Sequence, residues 1–260
     1  MSDHTEIRIE AAGFTDVGPA REENQDAIIL PGSICLGSES HAEWNGKTSQ
    51  EAVSFAVIDG MGGYKGGKNA AALCATFLST HHIPPSDGEA TEMLKGLSRK
   101  IAHSGEARGT PRMGAAFAML TFRDNEVSFI NVGDCRIYCI WGNSMGQMTI
   151  DDRIDDNSPG ITQAIGPTEN PNAHFYTQVL RAGKLRYLLC SDGVWGTLGN
   201  ERLKQLAMSS RHPGDGCSCI LERLYQLESS DNCSLIIVDI DTENVGANTI
   251  SQSKLDSHSM

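Results

Sequence analysis

No stretch of this sequence approaches the roughly 20 consecutive apolar residues that a membrane-spanning helix needs, and the opening MSDHTEIRIE has no apolar core of the kind that directs secretion. The expectation is a cytoplasmic protein that makes no use of a membrane. Positive charge is scarce as well. Against 33 Asp and Glu stand 21 Lys and Arg, a formal net charge of -12, so the chain lacks the basic footprint that a nucleic acid or an anionic membrane surface requires. The eight cysteines, at 35, 74, 135, 139, 190, 217, 219 and 233, include no CxxC pair. Cys74, Cys139, Cys190 and Cys233 lie in or beside apolar stretches and read as small buried hydrophobes of a reducing compartment rather than disulfide partners. Cys217 and Cys219 flank only Ser218, too close for the usual zinc spacing, and read as helix residues. Internal repeats and low-complexity tracts are missing too.

What is present is enough apolar material for a sizeable core, 39% of 260 residues. Runs rich in Val, Ile, Phe and Tyr predict strands near 7–14, 26–30, 53–58, 115–122, 126–132, 136–141, 147–150, 175–180, 185–190 and 233–240. Helical periodicity marks 66–80, 89–104, 200–209 and 214–228. Gly, Pro, Asn and Asp content predicts loops over 32–47 and 150–171. Strands in consecutive blocks with helices grouped elsewhere favour antiparallel sheets covered by helices over repeated βαβ units, an α+β fold. One domain over 1–240 is expected, with 241–260, poor in apolar residues and rich in Ser, Asn and Asp, as a disordered tail.

Four of the apolar runs meet aspartate: VSFAVI before Asp59, VSFINVG before Asp134, LRYLLC before Ser191 and Asp192, and CSLIIV after Asp231 and Asn232. Asp26 opens a further run. Taken singly, Asp59-Gly60 and Asp192-Gly193 read as turns that exploit glycine's tolerance of positive φ. As a set, the carboxylates could converge on hard divalent cations, which take oxygen ligands and, about 3.5–4 Å apart in pairs, activate water in phosphoryl transfer. Arg21, five residues before Asp26, carries a planar fork suited to a phosphate. The cysteines include no CxxxxxR phosphate cradle, which argues against a cysteine nucleophile.

FTDVGPAREENQDA (14–27), VIDGMGG (57–63), NVGDCRIY (131–138), CSDGVW (190–195) and DNCS (231–234) occur in this order. Together they resemble the motifs of the metal-dependent serine/threonine protein phosphatases of the type 2C (PPM) class, in a bacterial style, over residues 8 to 240. The resemblance implies a four-layer α-β-β-α sandwich of two antiparallel sheets with the metal site at one end. It implies two Mg²⁺ or Mn²⁺ ions: Asp59 bridging both, Gly60 lending its carbonyl oxygen, Asp192 and Asp231 completing the first, Asp26 serving the second, and Asp134 with Asp192 forming a weaker third site. Asp59 and Arg21 are the implied catalytic residues, Arg21 as the phosphate clamp. Asn24, Ser191 and Asn232 are expected to orient ligands, and Arg136 to form a structural ion pair. The expected nucleophile is a metal-bridging water, with no phosphoenzyme.

Three features depart from the family pattern. Met61 stands where many eukaryotic members carry His, Gly114-Ala115-Ala116 replaces Gly-Thr-Thr, and 151–166 is short where relatives carry a helical flap. The implied partners are phosphoserine and phosphothreonine proteins and the serine/threonine kinase whose work is reversed, for a chain expected to act as a monomer. The competing reading is a pseudophosphatase that keeps the fold and works by docking a partner. Retention of all five acidic residues weighs against it. A two-metal nuclease conflicts with the acidic balance.

Overall fold

The computed structural model describes residues 7–48, 51–82, 84, 86–154 and 160–242. One six-stranded sheet has the order β4 (Glu39–Lys47), β1 (Arg8–Asp16), β12 (Cys233–Asp241), β11 (Lys184–Cys190), β8 (Arg136–Trp141), β9 (Ser144–Gln147). The other has the order β10 (His174–Val179), β7 (Glu126–Val132), β6 (Gly114–Arg123), β5 (Val53–Met61), β2 (Asp26–Leu30), β3 (Ser33–Leu36). Every pairing within them is antiparallel. Helices α1 (Tyr64–Leu78) and α2 (Asp87–Arg108) cover the second sheet, and α3 (Asp192–Ser209) and α4 (Pro213–Gln226) the first.

Side-chain alternation builds the four layers. In β5, Phe55 and Val57 enter the core between the sheets while Ala56 and Ile58 meet α1 and α2. In β12, Ile236 and Val238 face between the sheets while Leu235 and Ile237 pack on α3 and α4. A strand buried on both faces must be apolar at every position, which is why these runs read as continuous rather than alternating. Asp59 interrupts such a run on the inter-sheet side of β5, the face shared by Phe55 and Val57. Helix α2 opens on an N-cap, Ser86, whose hydroxyl accepts from the Glu89 backbone N–H and donates to the Glu89 carboxylate, and closes on Gly109 at φ 72°.

Three expectations needed correction. The segment 32–47 carries β3 and β4 rather than a loop. Edge strand β4 buries only one face, with Ala42 and Trp44 against the core and charged residues outward, and Trp44 meets Phe55 edge-on at 5.7 Å. The strand expected at 147–150 lies at 144–147. The helix expected at 200–209 is present beyond a break at Gly199 (φ 68°), and a preceding helical segment from Asp192 was not expected, because Gly193, Gly196 and Gly199 dilute the helical signal. Strand β12 runs to Asp241, and buried Thr242 donates through Oγ1 to the carbonyls of Arg181 (2.6 Å) and Gly183 (2.7 Å). The rest of the segment read as a tail, 243–260, lies outside the described residues. Among the described residues no helix is long and apolar enough to cross a membrane.

Candidate metal centre

Strand ends bring the carboxylates together. Asp26 opens β2 directly across from Asp59 on β5. Asp134 follows β7, Asp192 is the first residue of α3 just after β11, and Asp231 precedes β12. Register places these ends at one edge of each sheet, Asp59 opposite Ala116 and Phe117 opposite Val132 in one and Cys190 opposite Leu235 in the other, and the hydrogen bond from the Gln25 N–H to Asn232 Oδ1 (2.9 Å) joins the two edges. Neither Asp-Gly pair is a hairpin turn. Asp59-Gly60 lies within β5 and Asp192-Gly193 within the first turn of α3.

The electrostatics are those of an anionic cluster in want of cations. Burial pushes the Asp26 carboxyl up to about 7, against hydrogen bonds from Ser234 and Ser191 and with further repulsion from Asp192 and Asp231. Asp59 is held well above the usual carboxylate range, first by burial and then by repulsion from Asp26, Asp192, Asp134 and Asp231 in turn. Burial and Asp192 push Asp134 up to about 7, opposed by Arg153. Burial and Asp231 raise Asp192, opposed by Arg153 and Arg21. Oδ2 of Asp26 is buried without a hydrogen-bond partner. Elsewhere the fold neutralises its inward acids, as where Arg186 holds Asp239 at 2.6 Å.

A donor set of carboxylate oxygens, with one orphaned oxygen at its centre, fits hard divalent ions such as Mg²⁺ and Mn²⁺. Among the described residues no three Asp, Glu, His or Cys side chains close tightly on one point. Such spread suits ions that keep part of their water shell.

The surrounding polar groups hold the ligand-bearing backbone. The Asn24 side chain accepts from the Asp26 N–H (3.0 Å) and donates to Thr15 Oγ1 (2.8 Å) and the Gly37 carbonyl (2.7 Å). Asn232 accepts from the Gln25 N–H (2.9 Å) and donates to the carbonyls of Val17 and Glu23, tying the Arg21–Asp26 loop to β12. Ser191 Oγ accepts from the Ser234 N–H at 3.0 Å. A Cβ on Gly60 would stand 2.2 Å from the Gly67 carbonyl oxygen, so only glycine lets the end of β5 approach the first turn of α1. Gly60 is therefore present as a close-packed backbone position, and its carbonyl is the expected sixth donor.

Arg21 sits at the rim, 53% exposed, with Nη2 2.8 Å from Asp231 Oδ2 and Nε donating to the Ser230 carbonyl at 3.1 Å. Arg136 makes the structural pair expected of it, gripping Asp151 at 2.6 Å and lying 3.5 Å from the Trp195 ring centre. Asp134 already faces a cation of the chain, Arg153, at 3.3 Å. Sequence reasoning missed Arg153, Ser234, Trp195 and the Asp152–His174 contact of 2.9 Å. A lone arginine among four aspartates in DDRIDD was the signal available for Arg153.

No family model matches the chain. Protein phosphatase PhpP of Streptococcus pneumoniae is 23% identical over 259 residues, covering 90% of this chain and 99% of that protein. Serine/threonine protein phosphatase PstP of Mycobacterium tuberculosis is 24% identical over 207 residues, covering 72% of this chain and 40% of that protein. Among solved structures, PppA of Pseudomonas aeruginosa, described as a regulatory component of T6SS, superposes with a TM-score of 0.74 at 22% identity, covering 90% of this chain and 99% of that one. The catalytic domain of PstP in complex with two manganese ions gives 0.72 at 21% identity, with the same coverage of 90% and 99%. The architecture of those structures is the architecture found here.

Proposed function

We infer, from the likeness of this chain to bacterial serine/threonine protein phosphatases in sequence and fold, that it is a PPM-type phosphatase that removes phosphoryl groups from phosphoserine and phosphothreonine in proteins by direct attack of water. The observation that supports this most is the electrostatic one: Asp59 is raised by burial and by four other carboxylates at once. A fold that gathers so much like charge is built to receive cations, and a docking module would carry the same destabilisation without return. Asp59, Asp26, Asp192, Asp231 and the Gly60 carbonyl would hold two ions, Mg²⁺ or Mn²⁺. Bound there, such ions supply a water of lowered pKa and offset the charge that develops on the phosphoryl oxygens.

The chain's own residues do the rest. Arg21, exposed at the mouth and tethered to Asp231, presents its fork to an incoming phosphate. Asn24 and Asn232 keep the Arg21–Asp26 loop and the start of β12 in fixed relation, so the clamp and the ligands move together. Met61 gives no side-chain acid at its position, so the leaving serine or threonine oxygen takes its proton from water. The substrates are phosphoproteins of a serine/threonine kinase in the cytoplasm, met by a monomer.

The test is hydrolysis of a phenyl phosphate ester and a phosphothreonine peptide with Mn²⁺, with Mg²⁺ and with chelator, followed by a single turnover in ¹⁸O-water. Activity only with metal, label in the released phosphate and no phosphoprotein on acid quench are the expected results. Metal-independent turnover or a stoichiometric phosphoenzyme would overturn the reading, and a metal-loaded but inert protein would favour the docking module.

A further inference from the structure

Two of the five carboxylates face a cation supplied by the chain, and the two cations differ. Arg21 is 53% exposed at the rim. Arg153 is 14% exposed and lies 3.3 Å from Asp134, itself 5% exposed.

The backbone carrying Arg153 is fixed on both of its preceding residues. Asp151 takes three hydrogen bonds from Arg136, at 2.6 to 3.1 Å, and one from Gln147 at 2.8 Å. Asp152 accepts from the Gly133 N–H (2.9 Å), donates its own N–H to the Gly133 carbonyl (3.0 Å), meets His174 Nε2 (2.9 Å) and accepts at its carbonyl from Thr162 (2.7 Å). Trp195, which donates to the Asp134 carbonyl at 3.0 Å, has its ring centre 5.0 Å from the Arg153 guanidinium. A guanidinium held in this way neutralises carboxylates with no water shell to shed, whereas a divalent ion must be partly dehydrated to take the same place.

We propose that Arg153 is a fixed internal cation that serves Asp134 in place of a divalent ion, so that this chain binds two ions and excludes a third. The proposal rests on the two-ion reading above. It makes the segment after β9 part of the metal centre's charge balance. Asp151 and Asp152 are then positioning residues for Arg153.

Calorimetric titration of metal-stripped protein with Mn²⁺, with the bound metal counted by elemental analysis, tests this without reference to activity. Wild type and Asp134→Asn are expected to bind two ions per chain, and Arg153→Lys likewise, because the charge is kept. Arg153→Ala and Arg153→Gln are expected to gain one further ion, lost again in the Arg153→Ala, Asp134→Asn double variant. Circular dichroism melting of each variant shows that it is folded. A wild-type count of three that falls to two in Asp134→Asn overturns the proposal, as does an unchanged count of two in folded Arg153→Ala. A wild type that binds no ion removes the two-ion reading itself, an outcome distinct from both.

Discussion

At the scale of single residues, Asp59 is raised by burial and is also repelled by every other acid of the centre. Asp59→Asn keeps the shape and removes the charge, so its effect must change sign with metal. In metal-free protein the variant should be more stable than wild type by about 1–3 kcal/mol, a melting shift of about 2–4 °C per kcal/mol, because the cost of burying a carboxyl that must be protonated or left uncompensated is gone. In saturating Mn²⁺ the order should reverse, and kcat/KM should fall by about a hundredfold or more as several kcal/mol of metal-borne stabilisation is lost. Paired melting curves with and without metal check it. A metal-free Asp59→Asn protein that melts below wild type would show that the carboxylate is satisfied by the fold, and the cluster argument would collapse. Asp59 was legible in the sequence because a carboxylate that ends an apolar strand run is conspicuous. Arg153 was not, because its significance depends on what Asp151 and Asp152 touch from 15 and 22 residues away.

At the scale of elements, the first turn of α3 carries Asp192. The sequence shows the part beyond the break at Gly199, 200–209, and hides the segment from Asp192 before it, because glycines spaced along that segment suppress helix propensity; the structure shows one reason for that spacing. A Cβ on Gly193 would stand 2.0 Å from the Asn232 carbonyl oxygen, so the turn that carries Asp192 can lie against the Asp231-Asn232 segment only without a side chain. Gly196, on the same helix, is exposed and has nothing within 4 Å of its ideal Cβ. Alanine at either position gains about 1 kcal/mol of helix propensity. At Gly196 that gain stands alone, and Gly196→Ala should be stabilising by up to that amount with unchanged activity. At Gly193 the overlap with backbone exceeds it. Gly193→Ala should lose about 1–3 kcal/mol in urea denaturation, and kcat/KM should drop as Asp192 and Asp231 move apart. Equal stability of the two variants would mean that the α3 start is not packed as described.

On the scale of the whole molecule, the nine-residue register between β1 and β12 closes the fold end to end, bringing Asp26 and Asp231 to one edge from nearly opposite ends of the chain. That closure was implied by the requirement that the acids meet, whereas β3 and β4 were not, because half-buried edge strands lack continuous apolar runs. Gathering the acids in this way gives the metal-free protein a distinctive pH profile. Carboxyls near 3.9 in the unfolded chain stand at about 7 for Asp26 and Asp134, and Asp59 and Asp192 are raised too. Between these limits the folded state binds more protons than the unfolded one, so stability must fall as pH rises. Below about pH 4 no such penalty exists, but paired acids such as Asp239 and Asp151 lose their arginine partners there, and ordinary acid destabilisation takes over. Metal-free protein should therefore be most stable in mild acid and lose stability from about pH 5 to about pH 7. With Mn²⁺ in excess the slope should invert over the same range, because binding requires the deprotonated carboxylates and stabilises by the logarithm of metal over its dissociation constant. Urea titrations at several pH values, run with chelator and with Mn²⁺, compare the two slopes. A metal-free stability that climbs between about pH 5 and about pH 7 would contradict the raised carboxyls, and parallel slopes with and without metal would mean that the ions do not bind at these acids.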